Sequence, residues 1–314
     1  MTQVLPIIHP PPPTREDAPA VLAHVLAVLK ATVVGDDGGP LERALARLAV
    51  QATAWYCLDM PLRVLLAGPT GSGKSLVARV IADALHVPSL RLSVTDMAES
   101  TWAGPQLGET LRELCAGATT AVPQGLSAVE PVRTVAPRGV LVLDELCKLA
   151  LATHGDHRHT RESASWRRGR QETLLPLLDP EGVLTTTSDR GAPPLRIASR
   201  GIAVVSTGAF AMLPSGASIT STALVDIGFL PELVDRIGGV VTLPEVGVQV
   251  RTHLVQVRAE GFRALADALG VPHALACLPD AIARLDTKAF AGPRSLAHAV
   301  EGLACDNIVR ALLR

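Results

Sequence analysis

Gly68-Pro69-Thr70-Gly71-Ser72-Gly73-Lys74-Ser75 decides how this chain reads. A mostly apolar run, Leu62 to Ala67, precedes it, and a helical pattern, Leu76 to Leu85, follows. Strand, glycine-rich loop and helix in that order make a P-loop. The glycines let successive backbone N–H groups turn inward toward phosphate oxygens. The N-terminus of the next helix adds partial positive charge. Lys74 is placed to reach the β- and γ-phosphates, and Ser75 to offer its hydroxyl to Mg²⁺. The stretch therefore assigns Gly68, Pro69, Thr70, Gly71, Ser72, Gly73, Lys74, Ser75 and Leu76 to binding a nucleoside triphosphate, with ATP and Mg²⁺ as the cofactors.

Gly139-Val140-Leu141-Val142-Leu143-Asp144-Glu145 is the second informative stretch. Four consecutive aliphatic residues suit a strand buried on both faces of a parallel sheet. The two carboxylates stand at its end, where ligands of open α/β sheets bind. Beside a P-loop, Asp144 reads as a Mg²⁺-site residue and Glu145 as the base that orients water.

Around these motifs the chain alternates between strand and helix signals. Helices are expected from Pro19 to Ala31, from Leu41 to about Tyr56, and starting at Gly108. Strands are expected at Ser89 to Val94, Gly201 to Val205 and Val240 to Leu243. Ala116 to Pro137 reads as loop, as does the polar, basic run His154 to Arg170. Gln171 to Leu178 and Leu230 to Arg236 look helical. From about Pro244 the pattern turns wholly helical, with segments at Val248 to Leu269, Leu278 to Leu285 and Ser295 to Leu313. The expected fold is an α/β P-loop nucleotide domain, a parallel sheet flanked by helices, followed by a small all-α lid. The expected divisions are a Pro-rich arm over residues 1–18, the nucleotide domain over 19–243 and the lid over 244–314.

Composition narrows the function classes. The 314 residues exceed one ordinary core, which fits two domains. A net charge of −1 gives no global attraction to nucleic acid or membrane. The cysteines Cys57, Cys115, Cys147, Cys277 and Cys305 are dispersed, without a Cys-x-x-Cys pair, which fits free thiols in a reducing compartment. No signal peptide and no bilayer-spanning run is visible, so a cytoplasmic protein without membrane partners is expected. His154, His157 and His159 lack the paired cysteines or carboxylates of a metal cage. No His-Glu-x-x-His occurs, which excludes that class of built-in metalloprotease.

The order of motifs resembles the AAA+ superfamily, and within it the ClpX and HslU branch of protein unfoldases. The resemblance runs from about Val33 to the C-terminus. Val33-Val34-Gly35 resembles the adenine-contacting segment. Gly68 to Ser75 is similar to the ClpX P-loop (Walker A), and Leu143-Asp144-Glu145-Leu146 with Lys148 to its Walker B strand. Val205-Ser206-Thr207-Gly208-Ala209-Phe210 is similar to sensor 1. Leu230-Pro231-Glu232-Leu233 with Arg236 resembles the arginine-finger segment, and Gly292-Pro293-Arg294 resembles sensor 2.

The resemblance implies a homohexameric ATPase acting on protein substrates, with ATP at the subunit interfaces. Arg236 would reach a neighbour's γ-phosphate, Arg294 would sense nucleotide from the lid, and Thr207 (or Ser206) would help place the attacking water. Thr101-Trp102-Ala103-Gly104 falls where ClpX carries a substrate-gripping pore loop, which gives Trp102 and Ala103 that role. A second pore loop would start at Thr160-Arg161-Glu162 and run through Trp166-Arg167-Arg168. Its charge leaves open a nucleic-acid-stimulated motor or loader, or an assembly switch, as alternatives. Without a Cys-x-x-Cys pair the N-terminal zinc-binding domain of ClpX is not expected. Ile227-Gly228-Phe229 matches the tripeptide by which ClpX docks on its peptidase, yet it lies within the arginine-finger segment. Phe229 and Leu230 are expected near a subunit interface, and a ClpP-type peptidase is not an expected partner. A dedicated adaptor could bind through the Pro10 to Pro13 arm.

Overall fold

The computed structural model describes residues 14–33, 39–95, 97, 105–118, 133–135, 137–150, 161–186, 194–214, 218–276, 278 and 293–313. The Pro-rich arm up to residue 13, Val34, Trp102, Ala103, the three clustered histidines and most of the expected helix at Leu278 to Leu285 lie outside them.

Five parallel strands form the main sheet: β1 (Arg63–Ala67), β2 (Ser89–Ser93), β4 (Gly139–Asp144), β7 (Ile202–Gly208) and β8 (Gly239–Thr242). Their spatial order is β2-β4-β7-β1-β8. Register places Ala67 beside both Gly208 and Thr242, and Leu143 beside Ser206. Every residue of β1, β4 and β7 is buried, as aliphatic strands covered on both faces must be. Period-two alternation sorts them between two cores. Leu65, Leu141, Leu143 and Val204 pack with Leu107, Leu111 and Leu114 of α4 (Pro105–Ala118), Leu174 and Leu177 of α5 (Arg161–Leu178) and Leu233 of α7 (Pro231–Ile237). Val64, Leu66, Val140, Val142 and Val205 pack on the opposite face. Their partners there include Leu29 of α1 (Ala18–Thr32), Trp55 of α2 (Pro40–Leu58) and Ile81 of α3 (Lys74–Ala84). This is the expected α/β class. Because all five strands run the same way, their C-terminal ends share one edge, and the P-loop leaves β1 there.

Arg63 braces the other end of β1. It is only 7% exposed. Its guanidinium donates to the carbonyls of Leu177 (3.3 Å) and Leu178 (3.2 Å), the last of α5. It also donates to Ser199 (3.0 Å) and Ile202 (2.5 Å). Carbonyls at a helix C-terminus lack intrahelical partners, and this side chain supplies one. Burial pulls its pKa down to about 10, so it stays charged at neutral pH.

Three expectations need correction. First, the stretch read as loop from Ala116 to Pro137 contains β3 (Arg133–Val135), and α4 continues to Ala118. β3 joins β6 (Leu195–Ala198) and β5 (Val183–Thr186) in a second small sheet, in the order β3-β6-β5. Three or four residues carry too little alternation to register as a strand, and pairing with a distant partner decides their state.

Second, the basic run is not loop throughout: α5 begins at Arg161. Trp166, Arg170, Leu174 and Leu177 recur at helical spacing, and the last three are buried. Arg170 stacks on the Trp166 ring, 3.5 Å from its centroid, and donates to the Val94 carbonyl. Arg167 donates to the Ala150 carbonyl (2.9 Å).

Third, Phe229 is inside the chain's own core, 2% exposed, with its ring 6.2 Å from that of Phe210. Ile227 is buried in the same cluster. α6 (Ser221–Asp226) ends where this turn begins, and Thr220 caps that helix through the Ala223 N–H (3.1 Å).

After Thr242 the described elements are helical. α8 (Val248–Ala268) packs on α9 (Pro293–Leu312) around Ala259, Ala266, Leu275, Ala304 and Ile308.

Candidate functional site

A cleft of about 940 Å³ opens at the C-terminal edge of the main sheet and reaches α8 and α9. Its walls include Val33, Thr70 to Leu76, Asp144, Glu145 and Thr207, so two motifs about seventy residues apart in the chain meet in one cavity. Gly68 and Pro69 lie just behind the wall and hold Lys74, whose ammonium donates to their carbonyls at 2.7 and 2.6 Å. Burial lowers the Lys74 pKa, and the nearby Asp144 carboxylate works against that shift.

The loop itself has a backbone that side chains resist. Gly73 sits at φ +86° and starts α3, whose next turn is closed by the Val77 N–H on the Gly73 carbonyl (2.9 Å). Gly68 sits at φ +152°, and a Cβ there would meet the Leu243 carbonyl oxygen at 2.5 Å. Leu243 is fixed in that place by donating its N–H to the Ala67 carbonyl (2.7 Å). The first N–H groups of α3 have no intrahelical acceptor and face the cleft with Ser75.

Asp144 ends β4 at 7% exposure. Burial alone would raise its pKa. The hydrogen bond from the Thr207 hydroxyl and the charge of Arg91 outweigh that, and the pKa lies below the ordinary value. The Glu145 N–H also donates to Asp144 (3.0 Å). Glu145 itself takes a left-handed backbone, φ +60°, which turns its exposed side chain out of the strand direction. A non-glycine residue in that region costs about 1–3 kcal/mol, a kind of strain that clusters at active sites. The resemblance gave Thr207 to the attacking water; here its buried hydroxyl is bonded to Asp144.

The oxygen donors Ser75 and Asp144 line one cleft and suit a hard divalent cation. Asp144 already has a cationic partner, the Arg91 guanidinium, so the carboxylate is ionised and aimed at positive charge. The site therefore fits Mg²⁺. Arg91 was not singled out from the sequence. The signal was an arginine between Leu90 and Leu92, two positions before the strand residue that pairs with Asp144.

Arg236 does not line this chain's cleft. It lies in the last turn of α7 and approaches Asp179 (3.6 Å). The segment before α7 is tied to the β4 motif by Gln171. Its amide donates to the Leu149 carbonyl (2.8 Å) and the Gly228 carbonyl (3.1 Å) and accepts from the Leu230 N–H (2.7 Å). Arg294 falls in the first turn of α9, and its side chain is outside the described residues. On the helical wall, Arg258 pairs with Glu301 (3.4 Å), and His298 lies 3.1 Å from the same carboxylate. His298 and Glu301 are neighbours by their i,i+3 spacing on α9, whereas Arg258 reaches them only through the packing of α8 on α9. Among the described residues no cluster of His, Cys, Asp and Glu suggests another metal site. Among the same residues, no helix is long and apolar enough to cross a membrane.

Comparison with known proteins agrees with this geometry. Residues 64–207 match the family described as "ATPase family associated with various cellular activities (AAA)". Over 183 residues the chain is 31% identical to the ATP-dependent Clp protease ATP-binding subunit ClpX of Porphyromonas gingivalis, covering 56% of this chain and 40% of that protein. It is 32% identical over 116 residues to ClpX of Bacteroides thetaiotaomicron, 37% of this chain and 25% of that one. With ClpX of Borrelia duttonii it shares 30% identity over 128 residues, 41% and 26% of the two chains. The chain thus spans less than half the length of the curated relatives it matches.

Proposed function

We propose that this chain, which carries an AAA-family domain over residues 64–207 and is similar to ClpX, is an ATP-driven remodeller of protein substrates. The observation that carries the proposal is the single cleft in which Lys74, Ser75, Asp144, Glu145 and Thr207 converge.

In this reading the P-loop N–H groups and Lys74 bind the phosphates, and Val33 and Val34 border the base. Mg²⁺, held by Ser75 and Asp144, would neutralise charge on the phosphate oxygens. Thr207 keeps the Asp144 carboxylate in place. Glu145, projecting from its left-handed turn, orients water for attack and accepts its proton. Arg236, which does not line its own cleft, reaches the phosphates of a neighbouring copy in a ring, most simply a hexamer. Arg294 contacts nucleotide from the helical lid, residues 244–314, while residues 19–243 form the nucleotide domain. Trp102 and Ala103 grip the polypeptide.

The core position of Phe229 supports a remodeller that works without a ClpP-type peptidase. The inward engagement of Arg167 and Arg170 on α5 removes much of the support for a nucleic-acid partner. The deciding experiment is an ATPase assay on the purified chain with unfolded protein, single-stranded and double-stranded nucleic acid as stimulants. Stimulation by unfolded protein alone is expected. Stimulation by nucleic acid alone would replace this reading with a nucleic-acid motor.

A further inference from the structure

Arg91 forms an ion pair with Asp144, while Lys74 interacts with the same carboxylate from further away. The Arg91 side chain uses one carboxylate oxygen, and Thr207 and the Glu145 N–H use the other. Its position follows from the strand register: Arg91 stands opposite Val142 on β2, and Ser93 opposite Asp144. A long side chain starting two residues below the end of the neighbouring strand spans the remaining gap. The two partners differ in environment. The Asp144 side chain is 9% exposed, whereas that of Arg91 is 61% exposed. The carboxylate is fixed, and the guanidinium can leave for water with little loss of packing. Arg91 also lines the same cleft as Lys74 and Ser75.

A buried carboxylate without a partner is costly, so some cation must satisfy Asp144 whether or not nucleotide is bound. We propose that Arg91 is a positioning residue that holds Asp144 in the metal-free protein and competes with Mg²⁺ for it. Arg91 thereby sets the Mg²⁺ concentration at which the site binds nucleotide tightly. Divalent charge and a preference for hard oxygen donors would favour Mg²⁺ over the guanidinium at Asp144 when nucleotide is present. The displaced guanidinium then remains at the mouth of the cleft. The inference rests on the Mg²⁺–nucleotide reading above and adds a residue that the P-loop and β4 motifs do not contain.

The test is equilibrium binding of a fluorescent, non-hydrolysable ATP analogue to the full chain, titrated with Mg²⁺ from a chelator-treated start. Arg91→Met removes the charge and keeps the length; Arg91→Lys keeps the charge. The Mg²⁺ midpoint is expected to fall about fivefold in Arg91→Met, the upper end for a half-exposed ion pair. It should stay within about twofold of the parent in Arg91→Lys, since a lysine still offers a charge to Asp144. Metal-free binding should weaken in Arg91→Met, because the unpaired carboxylate then repels phosphate. A midpoint in Arg91→Met that is unchanged or raised overturns the inference, as does an equal fall in Arg91→Lys. The parent protein is the control for the underlying reading. If it binds no analogue, the nucleotide assignment fails instead; if it binds the analogue equally well at every Mg²⁺ concentration, the Mg²⁺ assignment of Ser75 and Asp144 fails.

Discussion

Replacing Phe229 with alanine should cost this protein a large share of its stability. The ring is 2% exposed and lies against Phe210, which is itself buried. A buried phenylalanine removes about 150–250 Å² from water. At about 25 cal/mol per Å², losing most of that area costs roughly 3–4 kcal/mol before any cavity is counted. The loss of the aromatic pair adds about 0.5–1.5 kcal/mol. The sum agrees with the roughly 3–5 kcal/mol found for such truncations. Against a typical total of about 5–15 kcal/mol, that is a fifth or more of the margin. The midpoint of thermal unfolding should fall by about 5–10 °C. The assay is equilibrium urea unfolding followed by circular dichroism, with a thermal melt beside it. A variant that unfolds within about 2 °C of the parent would refute the reasoning, because only a solvent-facing ring can be removed so cheaply. It would also revive Ile227-Gly228-Phe229 as a docking tripeptide. Co-sedimentation of the parent chain with a ClpP peptidase in ATP, expected to give no complex, reads that alternative directly.

Other outcomes follow from the cleft and from the brace beneath it. Glu145→Gln should retain ATP binding and lose about 100-fold or more of hydrolysis, measured by phosphate release; near-normal turnover would remove Glu145 from the base role. Mixing Arg236→Ala with Lys74→Ala chains should restore part of the ATPase activity, since roughly one interface in four joins an intact pocket to an intact arginine. No recovery at any mixing ratio would argue against action in trans. Arg63→Met should lower unfolding free energy by about 3 kcal/mol or more, because several buried carbonyls lose their donor at once, and chemical denaturation measures it.

The parts legible in the sequence were those whose pattern is local. Val140 to Leu143 are all buried because a central parallel strand needs apolar residues on both faces. That rule is readable without knowing any neighbour. The P-loop was legible for the same reason: its glycines answer to backbone angles, not to partners. Arg91 was not, since its role depends on which strand lies beside β4, and β2 gets there only by crossing over from β1. The helix at Arg161 was hidden by its charge, because arginines that bond backward to Val94 and Ala150 look in the sequence like a solvated loop. Phe229 was given to an interface because its neighbours matched a motif, while its packing against Phe210 joins two segments nineteen positions apart.

Gly68 carries a consequence for anyone who reads variant libraries of this protein. Its missing side chain leaves room for the Leu243 carbonyl, an atom from the end of the neighbouring edge strand and not from any ligand. A screen for folded, protease-resistant chains, with no ATP in it, should therefore already reject every substitution at 68, while Lys74 passes that screen and fails only a screen for turnover. Two letters of one eight-residue signature would be written by different selections. Depletion at the first would report an architectural veto, and depletion at the second a chemical one.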